Sequence, residues 1–232
     1  AELPVEMSSL KSQQFRWMKG GAETAKKMLP TVWRSDLSPG QKVQATFHLL
    51  ASSVFVFVFL TGILSVPLLF LMGDMIELGF NKGFFSAFLI GLLSIIYVYY
   101  VANVEVLGQD EPFLRSMLKF VFLFPLFLAL SMGLSLHNSV AVLQGYLGKE
   151  SPFVRTPKFN IQSIKDSFVK NKYVQARLSW ITVFEGLLAL YFLAALISGI
   201  YLQNTIFIFF HFLLVIGYGA IFYYTIRHLN YK

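Results

Sequence analysis

Gln13, Arg16 and Trp17 are the residues of this sequence whose types and spacing best suit the binding of a sugar or a phosphate. They lie in the stretch LKSQQFRWMKGG near the start of the sequence. On a helix, positions i, i+3 and i+4 share one face, so the three side chains point the same way. Arg offers a planar fork of donors for phosphate, Gln supplies directional donors and acceptors, and Trp offers a flat apolar platform for a sugar. The next turn of this face falls on Gly20 and Gly21, which leave room for a ligand.

The same face also suits an amphipathic helix that lies at a membrane surface. Trp is common at the depth of the lipid headgroups, and Arg extends its charged end from there toward water. The helical pattern runs from about Ser8 to Met28. From the residues alone, the ligand-binding and the interfacial interpretations both stay open.

The composition indicates an integral membrane protein. Of 232 residues, 56% are hydrophobic and only 13% are charged, whereas a soluble domain carries about 25% charged residues. The net charge of +7 does not indicate a nucleic-acid partner, because the basic residues flank apolar segments. The sequence has no cysteine, which excludes a disulfide framework and a thiolate metal site.

The elements that would position the three residues are helices in and beside a membrane. Apolar segments follow the polar residues 1–46, at about 47–72, 84–104, 120–147, 180–202 and 205–226. A helix needs about 20 apolar residues to cross a bilayer. We therefore predict an all-α membrane protein, with amphipathic interface helices followed by a bundle of about four transmembrane helices.

Charge counting determines how the segment 120–147 is interpreted. Residues 1–46 and the loop 149–178 each hold seven Lys or Arg, whereas the loop 73–83 holds one Lys against two acidic residues. The positive-inside rule places both basic regions in the cytoplasm and 73–83 outside. A full span at 120–147 would place 149–178 outside. We therefore expect 120–147 to be re-entrant or interfacial, in agreement with Pro125 and polar residues within it, and the other four segments to be spans.

The stretch QQFRW, Gln13–Trp17, matches the Q-x-x-R-W signature of processive-type family 2 glycosyltransferases. That family includes cellulose, mannan, chitin and hyaluronan synthases. The order of the motifs and the apolar segments resembles the C-terminal membrane module of these enzymes over essentially the whole chain.

A second stretch, SPFVRTPKF at Ser151–Phe159, resembles the gating-loop motif F-x-V-T-x-K of bacterial cellulose synthase through Phe153, Thr156 and Lys158. Arg155 stands where cellulose synthase has Val. The form F-V-R-T-P-K is closer to mannan-synthase-like and glucosylceramide-synthase-like bacterial enzymes. Without the resemblance, this stretch is an ordinary basic loop beside a membrane that attracts anionic lipid.

The resemblance implies a fragment, in which 1–46 is the tail of a glycosyltransferase domain and 47–232 is a transmembrane module with a gating-type loop at 149–178. The family's catalytic domain carries a D-x-D metal site and an acidic general base, and nothing in this sequence matches them. A divalent Mg or Mn ion is therefore expected in the missing domain, and none on this fragment. The full-length protein would be an inverting hexosyltransferase, whereas this part alone would not transfer sugar.

The resemblance also implies roles for individual residues. In the family, an acceptor hydroxyl attacks the anomeric carbon of a UDP- or GDP-sugar, and cations stabilise the departing diphosphate. Gln13 and Arg16 would contact that diphosphate, and Trp17 would form the floor of the acceptor-sugar site. The gating-type loop would close over the nucleotide. The expected partners are the donor sugar, a glycan or lipid acceptor and the lipids of a bacterial inner membrane.

Two polar residues inside apolar segments have structural and functional interpretations. Glu185 is a functional candidate as an intramembrane carboxylate, but it is equally expected to reach the interface or to pair with Arg177. His211 is expected to make a hydrogen bond between packed helices. For the whole protein, the alternative to a glycosyltransferase is a non-enzymatic membrane channel or scaffold.

Overall fold

The part of the chain that the structure describes is almost entirely helical and contains no strand. The computed structural model describes residues 4, 6–80, 82–106, 111–150, 178–204 and 206–229, with the backbone alone for residues 82, 84–89 and 92. Eight α-helices run through these residues: α1 (Met7–Arg34), α2 (Pro39–Leu49), α3 (Val54–Glu77), α4 (Lys82–Tyr100), α5 (Phe113–Gly133), α6 (Ser135–Leu147), α7 (Trp180–Tyr201) and α8 (Ile208–Leu229). A 3-10 turn at Ala51–Ser53 precedes α3, and a π-helix at Val101–Val106 extends α4.

Four helices within the described ranges are long and apolar enough to cross a membrane. They are α3 together with the preceding turn (Ala51–Glu77), α5, α7 and α8. The chain is therefore an all-α integral membrane protein, and the predicted number of about four spans is confirmed.

The interpretation of 120–147 as a single re-entrant or interfacial segment was wrong. The chain forms two helices there, which meet at Leu134, and the apolar helix α5 already begins at Phe113. Pro125 lies inside α5 and does not end it, because transmembrane helices accommodate Pro where neighbouring groups satisfy the freed backbone. The spanning part is thus α5, and only the shorter α6 lies beside α1.

One end of the bundle, here called the α1 end, is where α1 and α6 lie. Three contacts identify this end. Lys11 of α1 forms an ion pair with Glu185 near the start of α7, and the backbone amide of Met7 donates a hydrogen bond to Nδ1 of His228 at the end of α8. The hydroxyl group of Tyr146 in α6 is hydrogen-bonded to that of Ser53, just before α3. The C-terminal end of α5 lies there too, because Leu134 packs in the same apolar cluster as Met7.

The opposite end, here called the far end, is where α3 stops and α7 turns into α8. Leu69 and Met72 of α3 pack there with Phe207, and Nδ2 of Asn204 lies 3.4 Å from the carbonyl oxygen of Leu69. In chain order, α3 leaves the α1 end, α5 returns to it, α7 leaves and α8 returns. The predicted span 84–104 lies in α4 and its π-helical extension, where several side chains are not described, and it is not among the four helices named above.

The core lies between the four spans, with α8 contributing most. Eight buried residues form one apolar cluster: Val66, Ala129, Met132, Phe192, Ala195, Leu213, Leu214 and Tyr218. They come from α3, α5, α7 and α8, so the spans share one packed interior. α1 and α6 pack against one end of this interior.

Candidate functional site

The predicted face of α1 exists in the structure. The helix covers Met7–Arg34, which includes the predicted range, and Gln13, Arg16 and Trp17 follow one another on one side of it. The side chain of Trp17 is 58% exposed, while Gln13 and Arg16 are partly buried. The indole therefore has a free surface that can stack on a sugar ring, and the two polar side chains lie one turn or less away.

The two glycines beyond this face differ in their surroundings. A Cβ added at Gly20 would meet nothing within 4 Å, so the helix surface one turn after Trp17 is open, as predicted. A Cβ added at Gly21 would lie 2.9 Å from Oγ of Ser52. Gly21 therefore allows the close approach of α1 to the turn before α3, and only Gly20 leaves room for a ligand.

The opposite face of α1 packs against α6. Ala22 is fully buried, and a Cβ added at Gly145 of α6 would lie 2.8 Å from the Cβ of Ala22. Nearer the start of α1, the ring of Phe15 makes an edge contact with His137 of α6 at a centroid distance of 5.7 Å. Small residues and one aromatic contact thus bring the two helices together along most of α6.

A buried ion pair joins α1 to α7. Nζ of Lys11 lies 2.5 Å from Oε2 of Glu185, and both side chains are almost fully enclosed. The expectation that Glu185 reaches the interface was wrong, because this side chain is buried. The alternative partner predicted for it, Arg177, lies outside the described residues. Glu185 is buried inside the bundle, and Lys11 of α1 supplies its cation.

His137 completes this polar group. Its Nε2 lies 2.9 Å from the carbonyl oxygen of Lys11, so this nitrogen carries the proton and donates it to the carbonyl. Burial, with the neighbouring Lys11 charge, lowers the pKa of His137 to about 4. Burial also lowers the pKa of Lys11, and the Glu185 carboxylate opposes that shift. The imidazole is therefore neutral near pH 7.

A second buried lysine joins α1 to the end of α6. Nζ of Lys19 donates to the carbonyl oxygen of Lys149, which follows Gly148, the left-handed residue with a φ of 71° that caps the end of α6. Beyond Glu150 the described chain stops, and it resumes at Leu178. The predicted gating-type residues Phe153, Arg155, Thr156 and Lys158 lie outside the described residues. The structure therefore brings together Gln13, Arg16 and Trp17 and leaves the second motif untested.

Lys11 and His137 were not predicted from the sequence to belong to this region. The available signal was the spacing of Met7, Lys11, Phe15 and Lys19, which recur every four residues and so form one helix stripe. Two lysines on an otherwise bundle-facing stripe indicate buried partners. The predicted packing role of His211 is confirmed, because its Nε2 lies 2.9 Å from Oγ of Ser65 in α3.

No group of three or more His, Asp or Glu side chains that could hold a metal ion occurs among the residues that the structure describes. Comparison with known proteins finds no matching family model, no matching curated protein and no matching solved structure. The function of the region is therefore argued from its own geometry and from the two sequence motifs.

Proposed function

We propose that the full-length protein is a membrane-bound inverting glycosyltransferase of the hexosyltransferase type, and that α1 supplies contacts to its acceptor and its diphosphate. The donor is a UDP- or GDP-sugar, and the acceptor is a growing glycan or a lipid. The observation that carries the proposal is the exposed indole of Trp17 beside the open surface at Gly20. It lies on the same helix side as an amide and a guanidinium.

Each of these side chains has a role that its chemistry supports. The Trp17 ring offers a flat apolar surface to the C–H face of an acceptor sugar. Arg16 carries a fixed positive charge with several donors, which suits the negative charge that develops on a departing diphosphate. Gln13 adds a directional donor and acceptor one turn earlier. Together they would hold the acceptor hydroxyl and the leaving group in a fixed relation, which is a large part of catalysis in such transfers.

The metal ion and the general base of this reaction are expected outside the residues that the structure describes. The described residues hold no group that fits a metal ion, so no step through a metal is assigned to them. Among the residues that the structure describes, most of the basic ones lie at the α1 end, including Lys26, Lys27 and Arg34. The positive-inside rule therefore favours a cytoplasmic α1 end, where nucleotide sugars are available.

The proposal is tested with the protein expressed from its complete reading frame and purified in lipid nanodiscs. Radiolabelled UDP- and GDP-hexoses are supplied with glycan and lipid acceptors, and labelled product is separated from the donor. We expect transfer from at least one donor, and a loss of about 100-fold in kcat for Arg16→Ala, because one donor to a developing negative charge is worth that much.

Arg34→Ala is the matched control, since Arg34 is an exposed arginine in the last turn of the same helix. Its turnover is expected to stay close to that of the unmodified protein. Absence of transfer from every UDP- and GDP-hexose by a folded protein would refute the proposal and favour a channel or scaffold. Equal losses in the two arginine variants would refute the assignment of Arg16.

A further inference from the structure

Two buried lysines hold α1 on the bundle, and they lie on either side of the candidate residues in the sequence. Lys11 precedes Gln13, and Lys19 follows Trp17; each lysine is only 6% exposed. Lysine is almost never buried unless its charge is paired. Here Lys11 is paired with Glu185 of α7, and Lys19 donates to the carbonyl oxygen of Lys149 after α6.

We propose that Lys11 with Glu185, and Lys19 with the Lys149 carbonyl, are positioning residues that fix the rotation of α1 about its own axis. Their effect is to keep Trp17 on the open side of the helix. The geometric part of the inference stands on these contacts alone, whereas its consequence for sugar transfer rests on the proposed function.

Polar contacts are suited to this task because they are directional. The remaining packing of α1 on α6 uses small or apolar groups such as Ala22 and Gly145, which can slide past one another with little change in energy. Each residue of a helix is displaced by about 100° from the previous one, so a small slip would move Trp17 away from the open side. The two lysines are eight residues apart, about 12 Å along the axis, and so fix both ends of the segment Gln13–Trp17.

His137 adds a third contact to the same helix. Its Nε2 donates to the carbonyl oxygen of Lys11, and its ring meets Phe15 edge to face. The Lys11 side chain and the Lys11 backbone are therefore held by two different helices, α7 and α6. A rotation of α1 would have to break both contacts together.

A positioning role makes a prediction that a purely stabilising role does not. Removing one member of a buried ion pair is strongly destabilising, whereas replacing both members by apolar residues of similar size is often neutral or stabilising. The double variant Lys11→Met/Glu185→Leu should thus regain thermal stability, yet it lacks the directional contact. If the pair positions α1, this variant is stable but α1 is no longer held in one rotation.

The rotation of α1 can be measured by an engineered disulfide. A Cβ added at Gly21 would lie 3.2 Å from the Cβ of Ser52, close to the separation of about 3.5–4.5 Å in disulfides. Residues 1–232 hold no cysteine, so within them the only disulfide that can form in Gly21→Cys/Ser52→Cys is the engineered one. Its rate of formation under mild oxidant, measured by gel mobility in nanodiscs, reports how often α1 holds the observed rotation.

We expect the disulfide to form rapidly in the otherwise unmodified chain. In the backgrounds Lys11→Met, Lys19→Met and Lys11→Met/Glu185→Leu it should form about tenfold more slowly, a factor that corresponds to about 1.4 kcal/mol. The charge-reversed pair Lys11→Glu/Glu185→Lys should restore most of the rate. Lys27→Met, which removes an exposed lysine of the same helix, should leave the rate unchanged.

Unchanged disulfide formation in a thermally stable Lys11→Met/Glu185→Leu protein would overturn the inference, as would an equal slowing by Lys27→Met. Disulfide formation does not depend on catalysis, so these outcomes bear on the positioning residues alone. A protein that forms the disulfide as expected but transfers no sugar would refute the proposed function and leave the positioning of α1 established.

Discussion

The backbones of Gly133 in α5 and Gly217 in α8 are in direct contact. A Cβ added at Gly133 would overlap the backbone of Gly217, and one added at Gly217 would overlap the carbonyl group of Ala129. Ala129 and Gly133 are four residues apart and so face α8 on one side of α5. This small-xxx-small pattern lets two membrane helices approach closely, and it fixes α5 against the helix that contributes most to the core.

Gly217→Ala is therefore expected to destabilise the bundle. The added methyl group has no space, and overpacking of this kind costs about 1–3 kcal/mol. Gly219→Ala, two residues further along the same helix, is the matched control, because a Cβ there would meet nothing within 4 Å. The melting temperature in detergent is expected to fall for the first variant only, and equal melting temperatures would show that α5 and α8 do not meet at these glycines.

The arrangement of four spans predicts which positions share a side of the membrane. Asp74 and Gln203 lie at the far end, and Lys27 and Glu150 at the α1 end. Single cysteines at these positions in intact cells are expected to react with an impermeant maleimide at 74 and 203 only. Those at 27 and 150 should react only after permeabilisation, as the positive-inside rule requires.

Labelling of positions 150 and 203 from the same side would contradict this arrangement. It would mean that the chain crosses the membrane an even number of times, or not at all, between Glu150 and Gln203, whereas this arrangement has the single crossing of α7 there. A reversed result, with 27 and 150 labelled from outside, would keep the bundle and refute only the cytoplasmic assignment of the α1 end.

The neutral His137 under α1 predicts a dependence of stability on pH. Burial and then the Lys11 charge lower its pKa to about 4, below the ordinary value of about 6.5. Between these values the unfolded chain binds a proton that the folded chain does not. The free energy of unfolding should therefore fall as the pH drops from about 6.5 to about 4, and this contribution should be constant above about 6.5.

His137→Gln should remove this part of the pH dependence, since Gln does not titrate. Melting temperatures measured in detergent from pH 4 to pH 8 check the prediction. An unchanged slope in His137→Gln would show that this histidine is not held neutral beneath α1.

The sequence was informative about α1 because the pattern there is local. The positions of Gln13, Arg16 and Trp17 follow from helix periodicity alone, and the extent of the helix was underestimated only at its end, where it continues past Pro30 to Arg34. The packing role of His211 was also predictable, since a lone histidine among apolar residues needs a partner on a neighbouring helix.

The remaining features depend on contacts between distant parts of the chain. The partner of Glu185 is 174 residues away, so no local pattern identifies it. Charge counting gave the right number of crossings, because it constrains whether two loops share a side of the membrane. It could not determine whether 84–104 or α5 makes the return crossing, since both segments are apolar and either satisfies the same count.

The central claim is that Trp17 serves as an acceptor platform and does not merely anchor α1 at the membrane surface. Trp33 provides the comparison, because it lies on the same helix and is exposed to 55%, against 58% for Trp17. The measurement is the initial rate of sugar transfer by the full-length protein carrying Trp17→Ala or Trp33→Ala.

We expect the transfer rate to fall by about 100-fold or more in Trp17→Ala, because the acceptor loses the positioning on which such steps depend, while the melting temperature stays unchanged. Transfer by Trp33→Ala should stay within about twofold of the unmodified protein, because an exposed residue away from the site contributes little to positioning. Equal rates in the two variants, or near-normal transfer by Trp17→Ala, would contradict the account and leave both indoles as membrane anchors.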